Sequence, residues 1–242
     1  GGGVGFNISS KYVYELPSIK LGVNVVHCDS FDVDFIVPDN REGWVSLLGK
    51  TLEAYFVTGK SFSYSTRCIR GKGEKIKTFG GTAAGPIDLV KGISDICKIL
   101  SSKAGDKLKP IDCLDIANLI GRIVVSGNVR RSAQIAIGDS SDELFLKAKR
   151  GIIPNHRAMS NNSIIANSYE ELSELYWEGL QDHGEPYGYI NLDVSRKYGR
   201  IIDGLNYRPD PEVIGTNPCG EISLCDNEPC NLAEIVLPNV RN

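Results

Sequence analysis

Several things are missing from this sequence, and each absence closes a class of function. There is no run of about eighteen apolar residues, the length a membrane-spanning helix needs, and no pattern of a secretory leader opens the chain. The net charge is only −3 over 242 residues, so no basic footprint for DNA or another polyanion is present. Histidine is scarce, being confined to His27, His156 and His183. Cysteine is not scarce, but its seven positions are odd in number and lack tight disulfide spacing, which suits a reducing cytoplasm better than secretion. Internal repeats and low-complexity tracts are absent too. What remains, 41% hydrophobic and 24% charged, is ordinary globular material with enough chain for one sizeable core.

The most informative stretch is TNPCGEISLCDNEPCNLAE, residues 216–234. Asn217, Cys219 and Glu221 fall at every second position, and Cys225 and Cys230 follow. On an extended strand or finger-like loop this spacing turns an amide, a thiol and a carboxylate to one side, and Pro218 favours extension at Asn217. Such a face can grip and deprotonate a polyol while the sulfur reacts. Two plainer readings stand beside it. Free cysteine is often a small buried hydrophobe. Three cysteines could also be part of a metal site, although zinc thiols usually lie two to four residues apart and no histidine is near these.

The segment NPCGEISL, followed by PCNL, resembles the active-site finger loop of ribonucleotide reductases, most closely the adenosylcobalamin-dependent, monomeric class II enzymes. Further segments are similar to the same family in the same order: GGGVGFNIS (1–9), DFIVPDNREGW (34–44), IKTFGGTAAGP (76–86), SGNVRRSAQIA (126–136) and HRAMSNNSI (156–164). The likeness runs from Gly1 to about Glu234. It implies the first part of a ten-stranded α/β barrel with a central finger loop at 216–234, a single incomplete catalytic domain carrying an insertion-like segment at 11–66. The ends read as cut from a longer enzyme.

Pattern alone yields an α/β order. Trp44, Leu47, Leu48, Leu52, Tyr55 and Phe56 make an amphipathic helix within 39–59, capped by Asp39 or Asn40 and stopped at Gly59. Segments 88–101 and 110–126 read as two further helices. SAQIAIG (132–138) reads as a strand. Ser168 to Glu171 resembles a capping box for a helix running to about His183, and GYINLD (188–193) reads as a buried strand. GGGVG at the start reads as a tight turn; it lacks the full GxGxxG pattern, which argues against a dinucleotide fold. HRAMSNNS (156–163) reads as an Asn-rich turn with an N-cap leading to a helix; the resemblance places it near the pocket, with His156, Asn161 and Asn162 supporting the site from behind.

By resemblance, a thiyl radical forms at Cys219 with adenosylcobalamin as cofactor and takes the 3′-hydrogen of a ribonucleoside triphosphate. Glu221 takes the 3′-hydroxyl proton, Asn217 orients the sugar hydroxyls, and Cys230 is half of the reducing dithiol, its partner lying before Gly1. Cys225 is a departure from the family motif, and its thiol can compete with Cys230 in disulfide exchange. Cys28, Cys68, Cys97 and Cys113 do not match the partner and read as structural. Asn7 and Ser9 fall in the segment that lines the substrate pocket. Arg67, Arg70, Lys72 and Lys77, among glycines, match a loop that binds a deoxyribonucleoside triphosphate effector, and equally suit an exposed basic loop. Arg130 and Arg131 in SGNVRRS match a second loop that touches the substrate; solvated arginines at a strand entrance are the plainer alternative. A thioredoxin-like reductant is implied, with no nucleic acid, membrane or protein-ligated metal, and a monomeric complete enzyme. A di-metal or glycyl radical source, a non-catalytic nucleotide-binding module and a structural zinc domain are the rival readings. The insertion-like segment favours cobalamin, and only catalysis explains NPCGE.

Overall fold

A computed structural model describes residues 3–76, 80–126, 132–182, 185–186, 188–203 and 206–230, with 200–203 and 206–207 described by backbone alone. The chain forms an α/β structure built on a four-stranded parallel sheet. Its strands are β1 (Gly3–Asn7), β5 (Ala133–Asp139), β6 (Ser160–Ile165) and β7 (Gly188–Ile190), hydrogen-bonded in that order. Parallel neighbours cannot be joined by tight turns, so each connection must cross over. Between β1 and β5 the crossover contains a short α1 (Ser10–Val13), then β2 (Val25–His27), β3 (Phe35–Ile36), α2 (Arg41–Glu53), β4 (Phe62–Ser65), α3 (Ile87–Ser102) and α4 (Pro110–Val125). The strands β2, β4 and β3 make a second, three-stranded parallel sheet within it.

Helix α2 forms where its apolar spacing puts it. Asn40 caps it, its side-chain oxygen accepting from the Gly43 N–H at 2.7 Å, and a π-turn over Ala54–Thr58 carries the helix on to Gly59. Leu47 and Tyr55 are buried, and the Tyr55 hydroxyl meets Ser101 Oγ at 2.8 Å, which ties α2 to α3. In α3 the stripe Leu89, Ile93, Ile96 and Leu100 is no more than 1% exposed. That spacing is one helical face, and each such side chain contributes about 1.5–3 kcal/mol on burial. Truncating Leu100 to Ala therefore costs about 2–5 kcal/mol. A single core cluster joins this stripe to Leu114 and Leu119 of α4 and to Ala136 and Ile164 of the sheet.

Four local expectations change. Gly3 and Gly5 lie in strand β1 rather than in a turn, because β5 pairs with this stretch from Gly3↔Ala133 to Asn7↔Ile137, whereas Gly1 and Gly2 lie outside the described residues. Segment HRAMSNNS is not a turn leading to a helix: Asn155–Met159 is one 3-10 stretch, and Ser160 onward is β6, held between β5 and β7. Ser168 makes no side-chain cap; Ser173 does, accepting from the Tyr176 N–H, and helix α6 is Glu174–Gln181. Strand β7 stops at Ile190 because the Asn191 side chain caps the next helix, α7 (Leu192–Tyr198). Between β5 and β6 lies the short α5 (Glu143–Leu146), and beyond α7 come two antiparallel pairs, β8 (Arg200–Asp203) with β9 (Asn206–Arg208) and β10 (Gly215–Thr216) with β11 (Ser223–Leu224). No helix among the described residues is long and apolar enough to cross a membrane.

Candidate active site

The NPCGE segment is a hairpin, not an extended face. Strands β10 and β11 pair antiparallel, and the chain reverses between them. The reversal is a four-residue turn in which the Gly220 N–H donates to the Asn217 carbonyl at 3.0 Å. Asn, Pro and Gly at its first, second and fourth positions are the residues such a turn selects, and Gly220 holds φ at 85°. The expected alternation of three side chains is thereby corrected. Asn217 is 2% exposed, and its Oδ1 accepts from the Ile222 N–H at 3.0 Å, closing the loop from inside. Cys219 and Glu221 are exposed at the tip. The turn thus presents a thiol and a carboxylate to solvent while its amide fixes the backbone between them.

This hairpin lies on one face of β1 in a fixed register. A Cβ on Gly3 would stand 2.1 Å from Pro218 Cγ, and one on Gly5 would stand 1.8 Å from the Thr216 carbonyl oxygen. Two residues on, Asn7 Nδ2 donates to the Ile214 carbonyl at 2.7 Å. Positions 3, 5 and 7 share a side of the strand, so two absent side chains and one clamp seat the ascending arm of the finger. Asn7 was expected to line a substrate pocket. Here both ends of its amide hold backbone, because Oδ1 also accepts from the Ser9 N–H at 2.9 Å. Ser9 is buried and its carbonyl opens α1. The signal for this seat was present in the sequence as Gly-x-Gly-x-Asn at strand period.

Further along, Cys225 Sγ donates to Asp210 Oδ2 at 3.6 Å, and the Cys225 N–H donates to Glu228 Oε2 at 2.9 Å, so the unexpected thiol sits in a tied turn. Cys230 is half-buried. All seven cysteines are free. Cys97 and Cys113 are half-buried against the core rather than within it, and burial pushes the Cys97 thiol up to about 11 and the Cys113 thiol up to about 12.

A second feature is a cleft of about 710 Å³. The start of α2 (Asn40, Trp44, Leu48), the loop before α3 (Ile69, Arg70, Ala83) and the end of α4 (Ile123, Ser126) enclose it. Arg70 lines it, with Nε donating to Asp39 Oδ2 at 2.7 Å. Arg67 lies over the Phe31 ring at 4.7 Å, and Lys72 is exposed; neither is among the cleft walls. Lys77, Arg130 and Arg131 lie outside the described residues. The pairing of Arg70 with Asp39 went unseen in the sequence, where Asp39 read only as a helix cap.

His156 was expected beside the pocket. Instead its Nε2 meets Asp115 Oδ1 of α4 at 2.8 Å, and Arg157 grips the same carboxylate through Nε at 2.6 Å and Nη2 at 2.8 Å. Burial acts to raise the Asp115 carboxyl, but the hydrogen bonds and charges of Arg157 and His156 together outweigh it and hold it below the ordinary value. This cluster fastens α4 to the stretch entering β6. No set of three His, Cys, Asp or Glu side chains able to hold a metal occurs among the described residues.

Known proteins resemble the chain in the following ways. Residues 13–100 match the family described as B12-dependent ribonucleotide reductase, insertion domain. The adenosylcobalamin-dependent ribonucleoside-triphosphate reductase of Lactobacillus delbrueckii subsp. bulgaricus is 38% identical over 266 aligned positions, covering 97% of this chain and 36% of that protein. The enzyme of the same name from Lactobacillus gasseri is 39% identical over 270 positions, with the same coverage of both chains. Among solved structures, the crystal structure of a B12-dependent (class II) ribonucleotide reductase superposes with a TM-score of 0.80 at 32% identity, over 95% of this chain and 36% of that one. The chain thus spans about a third of the length of the curated relatives it matches.

Proposed function

Because the chain belongs to the B12-dependent ribonucleotide reductases, of whose curated members it covers 36%, we propose that it is a segment of a catalytic chain that reduces ribonucleoside triphosphates to 2′-deoxyribonucleotides. The observation that carries this reading is the finger hairpin, with Cys219 and Glu221 exposed on one turn and the arm seated on β1. In this reading the parallel sheet is the first part of a ten-stranded barrel, residues 1–242 make one incomplete catalytic domain with an insertion-like segment at 11–66, and the finger points along the barrel's centre.

The exposed Cys219 thiol fits a radical source brought to it as a bound cofactor, since nothing in the described hairpin covers the sulfur. The chemistry that adenosylcobalamin supplies when bound, by homolysis of its cobalt–carbon bond, is removal of the hydrogen atom from that thiol. The Cys219 thiyl then takes the hydrogen from C3′ of the nucleotide, a reversible exchange because S–H and activated C–H bonds are close in strength. The Glu221 carboxylate accepts the 3′-hydroxyl proton. Water leaves from C2′. A dithiol that includes Cys230 gives two electrons and two protons, one proton to the departing hydroxyl and one to C2′, and closes to a disulfide that a thioredoxin-like protein reduces. Cys219 returns its hydrogen to C3′ and Glu221 its proton to the 3′-oxygen. Asn217 keeps the turn rigid through its oxygen and offers Nδ2 to the sugar hydroxyls. Asn7 and Ser9 act by holding the finger and the strand end beside it.

We assign the cleft at α2, α3 and α4 to a deoxyribonucleoside triphosphate effector, with Arg70 at its wall and Arg67, Lys72 and Lys77 around its loop. Arg130 and Arg131 would carry its identity to the substrate. The complete enzyme is taken as a cytoplasmic monomer without nucleic-acid or membrane partners. The test separates base from reductant in the full-length enzyme. Glu221→Gln slows steady-state reduction roughly 10²–10⁴-fold, whereas Cys230→Ser permits a single abortive turnover and stops, because the radical step survives while the disulfide cannot form. A Cys230 variant that cycles normally on dithiol assigns the reductant to another thiol, and an unimpaired Glu221 variant removes the base.

A further inference from the structure

Strand β6 is an interior strand, yet it carries an exposed amide. Its residues alternate between two faces of the sheet, and the neighbours define which face is which. Gln134 pairs with Ser160 and Ala136 with Asn162. Gln134 Nε2 donates to the Ala117 carbonyl of α4, so Ser160 and Asn162 lie on the helix-covered face, where they are 3% and 2% exposed. Asn162 is held there: its Oδ1 accepts from Ser160 Oγ at 3.0 Å, and its N–H donates to Glu185 Oε2 at 2.8 Å.

Asn161 faces the other way. The pairings Gly5↔Ile135 and Ile135↔Asn161 put these three residues in one row across β1, β5 and β6. The finger lies on that row, because a Cβ at Gly5 would strike the Thr216 carbonyl and one at Gly220 would touch Ile135 Cδ1 at 3.8 Å. Neighbouring strands are about 4.8 Å apart, so Asn161 stands one strand beyond the residue that meets the turn of Cys219. Its side chain is exposed and makes no hydrogen bond with a described residue. A primary amide offers two donors and an acceptor, a poor choice for packing beside Ile135 and a good one for a sugar hydroxyl or base edge.

We propose that Asn161 is a substrate-contacting residue, hydrogen-bonding the ribonucleotide held against the finger turn, and that the adjacent Asn162 is structural. The assignment rests on the nucleotide-reduction reading above. In the full-length enzyme, Asn161→Ala is expected to raise KM for ribonucleoside triphosphates about tenfold, the worth of one hydrogen bond. It should leave kcat within about threefold, the pattern of binding lost equally in ground and transition states. The thermal midpoint should stay near that of the wild type, as for an exposed substitution, and Asn161→Ser should recover part of the KM. Asn162→Ala, the control, should lower the midpoint without a comparable rise in KM. An unchanged KM in Asn161→Ala, or a lowered midpoint with KM and kcat both intact, overturns the inference alone. A wild-type enzyme that reduces no ribonucleotide overturns the functional reading and the inference with it.

Discussion

Asp115 accepts hydrogen bonds from His156 and from two nitrogens of Arg157, and its carboxyl and the Arg157 guanidinium are 17% and 16% exposed. Removing one partner of such a buried pair leaves the other charge desolvated, and Asp115→Ala should cost about 3–5 kcal/mol. The same carboxyl titrates below its ordinary value of 3.8 in the folded chain. A depressed carboxylate contributes stability at pH above that value, and the contribution is lost as pH falls through the folded value. Acid unfolding of the full-length enzyme should therefore be less steep in Asp115→Ala than in the wild type below about pH 4, measured by thermal melts at graded pH. Parallel acid limbs would remove this account. None of this was legible in the sequence: the partners are 41 and 42 positions apart, and His156 and Arg157 looked like parts of a polar turn. The half-buried thiols Cys97 and Cys113, packed against the core, were legible, because each falls on an apolar helix.

The finger hairpin and β1 fit together as elements because two side chains are absent. Gly5→Ala places a methyl group where the Thr216 carbonyl oxygen now is, so the arm must lift. A displacement of about 1 Å at a reacting group costs roughly 10²-fold in rate. Gly5→Ala in the full-length enzyme should keep its fold by circular dichroism and lose activity on that scale; full activity would mean that the seat does not position the turn. The three long helices could be read beforehand from periodic apolar residues, and the α2 cap was narrowed to Asp39 or Asn40, of which Asn40 serves. The hairpin could not, although its turn chemistry was in view. Alternation in Asn217, Cys219 and Glu221 suggested a strand, but Asn-Pro-x-Gly is also a turn signal, and β10–β11 pairing decided between them. Strand β6 was missed for a related reason. Its Ser and Asn residues read as loop, yet Ser160 and Asn162 are buried on one face, bonded to Lys149 and Glu185, while Asn161 is open on the other, a tertiary context that overrides strand propensity.

On the scale of the whole molecule, the 13–100 segment and the C-terminal end of α4 meet at the cleft bounded by α2, α3 and α4, and the SGNVRRS stretch begins at that end of α4 with Ser126. An occupant of the cleft thus touches the helix that leads to the loop before β5, a physical route by which effector and substrate can be coupled. Such couplings amount to about 1–3 kcal/mol and are reciprocal. Replacing Arg130 and Arg131 together by alanine should weaken discrimination among the four ribonucleotides, in competition with and without each deoxynucleotide, more than it lowers the best substrate's rate. Preferences that still switch like the wild type would reduce these arginines to solvated charges. The α/β order was legible from the sequence, whereas the sheet order and the cleft depend on contacts too distant for pattern to show. The claim on which all else depends is that the exposed sulfur at the finger tip does the chemistry. The direct measurement is ribonucleoside triphosphate reduction by full-length Cys219→Ser, alongside effector binding. The account predicts that reduction is abolished, since an alkoxyl radical is far harder to form than a thiyl, while effector affinity stays within about threefold because the cleft is untouched. Turnover by the serine variant near the wild-type rate would contradict it.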